Sequence, residues 1–497
     1  MSELLSAFAY VAHPLPFLLM LIGTFTGIVV GAMPGLTGAM LITLSLPLTY
    51  FMDPKNAVIM LVSMYVGSIS GSLITATLLR IPGTPASIMT TFDGYPMAQQ
   101  GRPGRALGLG IGASFFGGLV SWVALVTLSK PLSVIGARFG PWEIFALVMV
   151  ALVLIASISK GSMVKGLIAG LLGVLLSMPG VDPAVGAPRL TFGFDRLNNG
   201  FQLLPVLIGV FAMSQVIRDV LDLDEKSEAI TPSRAGIWLT LADWRKHCWN
   251  MLRSSIIGTW IGILPGVGAS VGSIVAYTSA KNLSKTPEAF GTGSEEGIVA
   301  SEAANNATIG GALIPLIALG IPGSVVDAIL IAALLLHSIQ PGPLLFINNS
   351  DIVYAIIATA LVANVFMFLM MGFSAGLMSR LMYMSRLFLA PIVLVLSVLG
   401  TFAVNNVIFD VWVMLAFGLV GYLMDRAGMP LGAFVIGFVL APLGEEKLRT
   451  GLMISGGSFA PLYERPMTLI LLVVASLTLI WPLLSAWRNR SRQRTPR

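Results

Sequence analysis

Residues 71–84 read GSLITATLLRIPGT and residues 311–324 read GALIPLIALGIPGS, so two apolar runs end on Ile-Pro-Gly followed by a hydroxyl residue. A second pair of breaks, MPGLTGA at 33–39 and LPGVGAS at 264–270, lies earlier in each half of the chain. Proline removes a backbone donor and glycine is a poor helix former, so each break frees polar backbone groups. Lipid offers these groups no partner, so such breaks are tolerated where they line a polar cavity. Corresponding sets of interrupted helices in two halves are typical of secondary transporters.

The composition excludes an ordinary soluble protein. Of the 497 residues, 56% are hydrophobic and only 10% are charged, whereas about a quarter of the residues of soluble domains are charged. Several apolar stretches are shorter than the roughly 20 residues that a membrane-spanning helix needs. We therefore predict an all-α polytopic membrane protein with about 12 membrane segments, some of them broken or re-entrant helices.

The distribution of basic residues predicts the domain organisation and the orientation. The first 16 residues contain no Lys or Arg, whereas the one long hydrophilic stretch contains both and the C-terminal tail is rich in Arg. By the positive-inside rule, the N-terminus is expected outside and the C-terminus in the cytoplasm. The predicted parts are an N-terminal membrane repeat (1–217), a cytoplasmic linker (218–253), a C-terminal membrane repeat (254–487) and a basic cytoplasmic tail (488–497). The tail suits contact with anionic membrane lipid rather than with nucleic acid.

The loops that follow the Ile-Pro-Gly breaks indicate that the two repeats have inverted topology. The first loop, DGYPMAQQGRPGRA at 93–106, contains Arg102 and Arg105, whereas SIQPGPLLFINNSD at 338–351 contains no basic residue. One loop is therefore expected to face the cytoplasm and the other the outside. Local similarity combined with opposite charge bias predicts two inverted-topology repeats.

Small residues at the breaks are candidates for binding an anionic substrate. The start of a helix presents unpaired N–H groups and the positive end of the helix dipole, and a Ser or Thr there adds a donor, so a carboxylate would be favoured. The same residues could instead be ordinary helix caps and close-packing positions. The predicted substrate-binding residues are Pro34, Gly35, Thr37, Gly83, Thr84, Ser87, Gly266, Ser270, Gly323 and Ser324.

A polar stretch in the second half is a candidate cation site. Residues 302–315 read EAANNATIGGALIP and place Glu302 and three further polar residues before an apolar helix. Amide and hydroxyl oxygens, together with freed backbone carbonyls, are the hard ligands that Na⁺ prefers. The predicted cation-binding residues are Asn305, Asn306, Thr308 and Asp327, and a capping role is the alternative for each of them.

Other chemistry finds little support in the sequence. The single Cys248 excludes an internal disulfide, the three histidines lack metal-binding spacing, and no Walker motif is present, so we predict neither a cofactor nor ATP hydrolysis. No paired catalytic acids or Ser-His arrangement supports an intramembrane enzyme. A facilitator or channel for organic anions is the alternative to active transport, because Gly-rich re-entrant segments also build selectivity filters. Glu143, Asn364, Asn405, Asn406 and Asp410 are further polar residues within or near apolar stretches.

The chain resembles the large membrane subunit of the tripartite tricarboxylate transporter family, the TctA-like permeases. The resemblance extends over nearly the whole chain, and its most specific blocks are DGYPMAQQG and EAANNA. The matching segments are 31–50, 81–110, 264–277, 301–324, 405–424 and 436–449. A minor departure is Gly444, which precedes Glu445 and Glu446 where family members often carry Leu or Met.

This resemblance implies a symporter of the bacterial inner membrane that imports a carboxylate. Its coupling ion would be a sodium ion or a proton, and its substrate a tricarboxylate, a dicarboxylate or an aromatic acid. A periplasmic solute-binding protein would deliver the substrate, and a small membrane subunit of about four helices would complete the complex, with alternating access at the broken helices.

Overall fold

The computed structural model describes residues 2–33, 35–158, 163–182, 186–221, 230, 235–381 and 386–493. In chain order the helices are α1 (Ser2–Val11), α2 (Pro14–Gly31), α3 (Gly38–Tyr50), α4 (Pro54–Leu78), α5 (Ile88–Gln99), α6 (Pro103–Gly136), α7 (Pro141–Ile158), α8 (Met163–Ser177), α9 (Leu203–Leu207), α10 (Ser214–Leu221), α11 (Leu241–Ile263), α12 (Gly268–Leu283), α13 (Glu295–Leu319), α14 (Val325–Leu336), α15 (Leu345–Asn348), α16 (Ser350–Leu381), α17 (Arg386–Asn405), α18 (Ile408–Arg426), α19 (Leu431–Ile454), α20 (Pro461–Glu464) and α21 (Pro466–Gln493). Short 3₁₀ turns lie at Pro85–Ser87, Asp195–Asn199 and Pro287–Ala289, and a π-helical segment at Ile208–Met213 joins α9 to α10. The strands in the described ranges are β1 (Gly180–Val181) and β2 (Pro188–Arg189), which pair antiparallel.

The prediction of an all-α polytopic membrane protein is confirmed. Within the described residues, six helices are long and apolar enough to cross a membrane, and six shorter apolar helices accompany them. Two of the shorter ones, α3 and α14, directly follow Pro-Gly breaks. Part of the predicted linker, residues 222–229 and 231–234, lies outside the described ranges, and α11 begins at Leu241 inside the predicted bounds of the linker.

The chain forms two compact units, and each unit combines segments from both halves of the sequence. Unit 1 consists of Met1–Val134 and Leu204–Tyr422, and it contains all four Pro-Gly breaks. Unit 2 consists of Ile135–Leu203 and Leu423–Arg497, in which α19 packs against α7 and α8, and α21 against α7. Both units therefore cross the predicted linker boundary, because helices of one half pack against helices of the other half.

Ion pairs stabilise unit 2 at the loop between its two strands. Arg189 donates to both carboxylate oxygens of Glu445, at 2.5 and 3.0 Å. Arg449 donates to both carboxylate oxygens of Asp182, at 3.0 and 2.7 Å. Such bidentate pairs fix geometry as well as adding energy, so the strand pair is held onto α19 at two points.

Glycines at corresponding positions allow α2 to approach α4 in the first repeat and α11 to approach α13 in the second repeat. A methyl group added at Gly27 of α2 would lie 2.5 Å from the carbonyl oxygen of Met64 in α4. A methyl group at Gly258 of α11 would likewise clash with the carbonyl oxygen of Ala304 in α13. One helical turn further on, Gly31 meets the Ser68 carbonyl and Gly262 meets the Thr308 carbonyl. Because the spacings are identical in both halves, Met64 and Ser68 correspond to Ala304 and Thr308.

The pair formed by α6 and α16 shows that the repeats are inverted. Trp122 Nε1 donates to the Ile357 carbonyl at 2.9 Å, and Asn364 Nδ2 donates to the Phe115 carbonyl at 2.9 Å. This exchange of one side-chain bond in each direction is the reciprocity that a two-fold relation produces. Further along α6, Ser133 donates to the carbonyl of a residue that precedes α16. The two helices therefore run antiparallel, as the predicted inverted topology requires.

Capping residues set the starts of several helices in unit 1. Asp53 accepts hydrogen bonds from two backbone N–H groups at the start of α4, and Pro54 follows it at the first helical position. Ser294 accepts from the Gly297 N–H at the start of α13. Thr240 and Asp243 form a reciprocal capping box at the start of α11. Each cap satisfies backbone donors that the first turn of a helix leaves unpaired.

Candidate functional site

The two Ile-Pro-Gly breaks have the same backbone form. We call residues 80–87 the first tip and residues 320–327 the second tip. Two positions before the proline, the chain is left-handed in both, with φ of 59° at Arg80 and 72° at Gly320. The left-handed conformation ends the preceding long helix, and the residue after Pro-Gly then caps the next helix. The expected interruptions at both tips are therefore observed.

Each tip packs against the break that precedes it in the same repeat. A methyl group added at Gly83 would lie 2.5 Å from the Gly31 carbonyl oxygen, and one at Gly323 would lie 2.7 Å from the Gly262 carbonyl oxygen. Gly31 and Gly262 both stand three residues before a Pro-Gly pair. The structure thus brings the two predicted breaks of each repeat together, and only glycine leaves room for this approach.

The hydroxyl groups of the first tip serve as caps. The Thr84 N–H donates to Ser87 Oγ at 3.4 Å, and Ser87 Oγ donates to the Thr84 carbonyl at 2.9 Å. Thr84 Oγ1 donates to Ser72 Oγ of α4 at 3.3 Å. Both residues are buried, so their donors are arranged by local contacts and point into the interior of unit 1.

The earlier breaks also contain left-handed glycines, and a capping residue follows the first of them. The φ angles are 90° at Gly35 and 73° at Gly266, a conformation that glycine adopts without strain. Thr37 accepts a backbone N–H at 3.2 Å at the start of α3. Ser270 is half-buried in the first turn of α12. The predicted substrate-binding residue Pro34 lies outside the described residues.

A buried acid stands at the second tip. Ser324 accepts the Asp327 N–H at 3.3 Å, and a 3.2 Å hydrogen bond joins its Oγ to Tyr65 Oη of α4. The Asp327 side chain is fully buried, and neither carboxylate oxygen meets a described donor at hydrogen-bonding geometry. We call Tyr65, Ser324 and Asp327 the second niche. An unpaired charge in such a place is costly, so this carboxylate requires a bound cation or a proton.

A second buried acid contacts α5, the helix that follows the first tip. Thr90 Oγ1 of α5 donates to Glu302 Oε1 at 2.5 Å, and Ser114 Oγ of α6 donates to Glu302 Oε2 at 3.2 Å. One helical turn along α13, the fully buried Asn305 amide has neither its oxygen nor its nitrogen bonded to a described group. We call Thr90, Ser114, Glu302 and Asn305 the first niche.

The other predicted cation ligands lie on the same helix but differ in their contacts. Ser70 Oγ of α4 donates to Asn306 Oδ1 at 2.6 Å, which joins the two repeats, whereas Thr308 Oγ1 donates to the Asn305 carbonyl at 2.6 Å within α13. We expected freed backbone carbonyls here. Instead, α13 continues unbroken from Glu295 to Leu319, because the chain is interrupted only at the second tip. Cation ligands from this stretch must therefore be side chains.

A buried carboxylate that the sequence analysis did not single out joins the two repeats. Asp93 Oδ1 of α5 accepts three backbone N–H groups, from Gly291 at 2.8 Å, Gly293 at 3.0 Å and Ser294 at 2.8 Å. Asp93 Oδ2 accepts Tyr277 Oη–H of α12 at 2.8 Å. We call this arrangement the Asp93 latch. The available signal was an acid that directly precedes Gly-Tyr-Pro, but its partners are almost 200 residues away along the chain.

An ion cluster lies beside the Asp93 latch. Arg105 donates to Asp243 at 2.6 Å and to Glu295 at 3.0 Å, so it joins the starts of α6, α11 and α13. Lys246 and His247 contact the other Glu295 oxygen at 2.8 and 3.2 Å. The hydrogen bond from Arg105 is the largest cause that holds the pKa of Asp243 well below its usual range. Arg105, from which the orientation was predicted, thus also joins the two repeats.

The remaining polar residues have mainly structural contacts. Arg465 donates to Glu143 at 3.2 Å in unit 2, and Asn405 donates to Asp410 at 2.8 Å in unit 1. Asn364 belongs to the α6–α16 pair, and Asn406 has a left-handed φ of 53° between α17 and α18. None of these contacts is made to a niche residue.

Comparison with known proteins identifies the family of this chain. The sequence profile of the Tripartite tricarboxylate transporter TctA family matches residues 17–436. Two proteins of Agrobacterium vitis are similar: an uncharacterized 52.8 kDa protein of the TAR-I ttuC' 3' region, 33% identical over 98% of this chain and 97% of its own length, and an uncharacterized protein of the TAR-II ttuC' 3' region, 34% identical over 48% of this chain and 98% of its own. No solved structure matches. This chain has paired broken helices and inverted repeats, and the family profile matches it over most of its length. It therefore belongs to the tripartite tricarboxylate transporter TctA family.

Proposed function

We propose that this chain is the large membrane subunit of a secondary active importer that couples uptake of a carboxylate to entry of a sodium ion or proton. A solute-binding protein delivers the substrate from the periplasm, and a small membrane subunit completes the complex. Family membership supports these partners. The protein lies in the bacterial inner membrane in contact with lipid, with its N-terminus outside and its C-terminus in the cytoplasm, as the distribution of basic residues favours.

The substrate carboxylate binds where the breaks of the two repeats meet. The helices α3, α12 and α14 and the 3₁₀ turn before α5 begin at these breaks, each with a small polar residue in or next to its first turn. Several helix N-termini directed at one region create a positive potential without a buried arginine. This arrangement suits tricarboxylates, dicarboxylates or aromatic acids, whose shared group is the carboxylate. Alternating access then moves the tips relative to the substrate.

The single observation that carries the coupling proposal is the buried Asp327. Neither of its oxygens makes a hydrogen bond of ordinary geometry with a described group, and it lies one turn from the Ser324 cap of the second tip. A cation or proton that neutralises Asp327 stabilises the second tip in its closed form, so ion binding and substrate enclosure are linked. Asn305, Asn306 and Thr308 of α13 are the further oxygen-bearing side chains that we assign to cation binding.

Uptake into vesicles that contain this subunit and its small partner tests the proposal. Labelled carboxylates are supplied with and without the solute-binding protein, under an imposed Na⁺ or H⁺ gradient. Accumulation that needs both the gradient and the binding protein is the expected result, and the accumulated acid identifies the substrate. The Asp327→Asn variant should lose gradient-driven accumulation, whereas Asp195→Asn, at an exposed position of unit 2, should retain it. Equilibration that ignores the gradient would instead indicate a facilitator or channel.

A further inference from the structure

The two niches are related by the internal repeat at one position, where Asn305 corresponds to Tyr65, but their acids stand on different elements. The shared packing makes Glu302 correspond to Val62 and Asn305 correspond to Tyr65, because Ala304 corresponds to Met64. The same difference in residue number relates the second tip to the first tip, so Asp327 corresponds to Ser87. In the first niche the acid is therefore on the long helix α13, and in the second niche it is on the tip helix α14.

Each niche thus combines one fully buried carboxylate with hydroxyl groups from the opposite repeat. In the first niche, Thr90 and Ser114 come from the first repeat and Glu302 from the second. In the second niche, Tyr65 comes from the first repeat and Asp327 from the second. In the described part of the chain, no Lys, Arg or His side chain is a hydrogen-bond or ion-pair partner of either acid. The Asn305 amide adds an independent observation, since it is fully buried close to Glu302 and neither of its polar atoms makes a hydrogen bond of ordinary geometry with a described group.

We propose that the first niche is a second sodium site, so that the transporter carries two sodium ions, one in each niche. The ligands are a carboxylate oxygen of Glu302, the hydroxyl oxygens of Thr90 and Ser114, and the amide oxygen of Asn305. All are hard oxygen donors of the kind that alkali and alkaline-earth cations prefer. The hydroxyl groups that now donate to Glu302 present their lone pairs to the ion after rotation about the C–O bond. This inference rests on the proposed cation-coupled function.

Both repeats close around the ion in this arrangement. Thr90 belongs to the helix that follows the first tip, whereas Glu302 and Asn305 belong to α13. An ion between them therefore joins the first tip to the second repeat, as an ion at Asp327 joins the second tip to Tyr65. Each ion stabilises the contact of one tip, and release of both tips requires release of both ions.

Sodium binding to the purified complex of the two membrane subunits tests the inference directly. Binding is measured by equilibrium scintillation with ²²Na⁺ in choline buffer, and folding is checked by gel filtration and thermal unfolding. We expect two ions per chain in the wild type, one in Glu302→Gln, one in Asp327→Asn and none in the double variant. Gln keeps the shape of Glu302 and an acceptor for Thr90, so the variant tests charge rather than packing.

Conservative variants keep the inference testable if Glu302→Gln does not fold. Ser114→Ala removes one ligand and should weaken the affinity of one of the two ions about tenfold, the effect of losing a single hydrogen-bonding partner. A wild type that binds one ion, lost in Asp327→Asn and unchanged in both first-niche variants, would overturn the second site while leaving coupled transport intact. If no carboxylate accumulates under any gradient although two ions bind, the proposed transport fails and the two-site assignment stands.

Discussion

Replacing Asp93 with asparagine is expected to loosen the connection between α12 and α13 without unfolding the protein. The wild-type carboxylate accepts four hydrogen bonds, three of them from backbone N–H groups of Gly291, Gly293 and Ser294. Asparagine keeps one carbonyl oxygen of the same shape but loses the charge. Bonds to an ionised acceptor contribute about 1.5–3 kcal/mol each, and neutral ones about 0.5–1.5 kcal/mol.

The magnitude follows from the three backbone bonds. A loss of about 1 kcal/mol at each of them gives about 3 kcal/mol for the local opening of the connection. Since about 1.4 kcal/mol corresponds to a factor of ten, opening should become on the order of a hundredfold more frequent. The fold itself should persist, because the Arg105 ion cluster independently joins α6 of the first repeat to α13 of the second.

Hydrogen–deuterium exchange followed by mass spectrometry measures this opening. Peptides that cover residues 288–297 should exchange on the order of a hundredfold faster in Asp93→Asn, because amide exchange reports local opening. Peptides from α11 should be unchanged. The matched control is Glu288→Gln, which removes one negative charge from an exposed side chain in the same connection. Equal exchange at Gly291, Gly293 and Ser294 in the variant and the wild type would refute the assignment of Asp93 as the latch between the repeats.

Three further predictions concern the tip, the niche helix and the ion cluster. Gly323→Ala places a methyl group 2.7 Å from a backbone carbonyl oxygen, so it should lower the free energy of unfolding by about 1–3 kcal/mol and abolish uptake. The control is Gly170→Ala, whose methyl group would lie 3.7 Å from its nearest neighbour and should change neither stability nor uptake. Normal uptake by Gly323→Ala would show that close packing at the second tip is dispensable. Asn306→Ala should abolish uptake while membrane insertion, followed by immunoblotting, stays normal; a variant that still transports would place the site elsewhere. The lowered pKa of Asp243 means that its pair with Arg105 stabilises the fold above the unfolded pKa of about 3.9 and loses this contribution as pH falls through the lower folded value. The melting temperature of Asp243→Asn should therefore lie below that of the wild type at pH 7, by the equivalent of about 1 kcal/mol for a partly exposed pair, and the difference should shrink below about pH 4; a difference independent of pH would contradict this origin.

Sequence reasoning predicted the features that depend on local chemistry. A proline followed directly by a glycine favours a helix break, so the breaks at both tips could be read directly from the Ile-Pro-Gly sequences. The inverted repeats followed from the contrast between loop charges, in which Arg102 and Arg105 mark one side. These signals need no knowledge of which helices touch.

The chemistry of the niches could not be predicted in the same way, because it depends on contacts between distant segments. Asp93 meets Gly291, and Thr90 meets Glu302, only after the two repeats have packed together. The unbroken course of α13 also escaped prediction, since Asn305 and Asn306 are poor helix formers whose tendency is overridden by burial. Local composition indicates where polar groups lie, and packing decides which of them are left without a partner.

The exchanged hydrogen bonds of Trp122 and Asn364 have a consequence for spectroscopy. Under the proposed alternating access, in which two related halves exchange conformations, points near the two-fold axis are displaced least, however far the tips travel. The α6–α16 crossing is therefore the natural origin of a molecular coordinate frame. The indole of Trp122 provides an internal reference there, and a fluorophore or spin label attached to either tip could be measured against it during turnover.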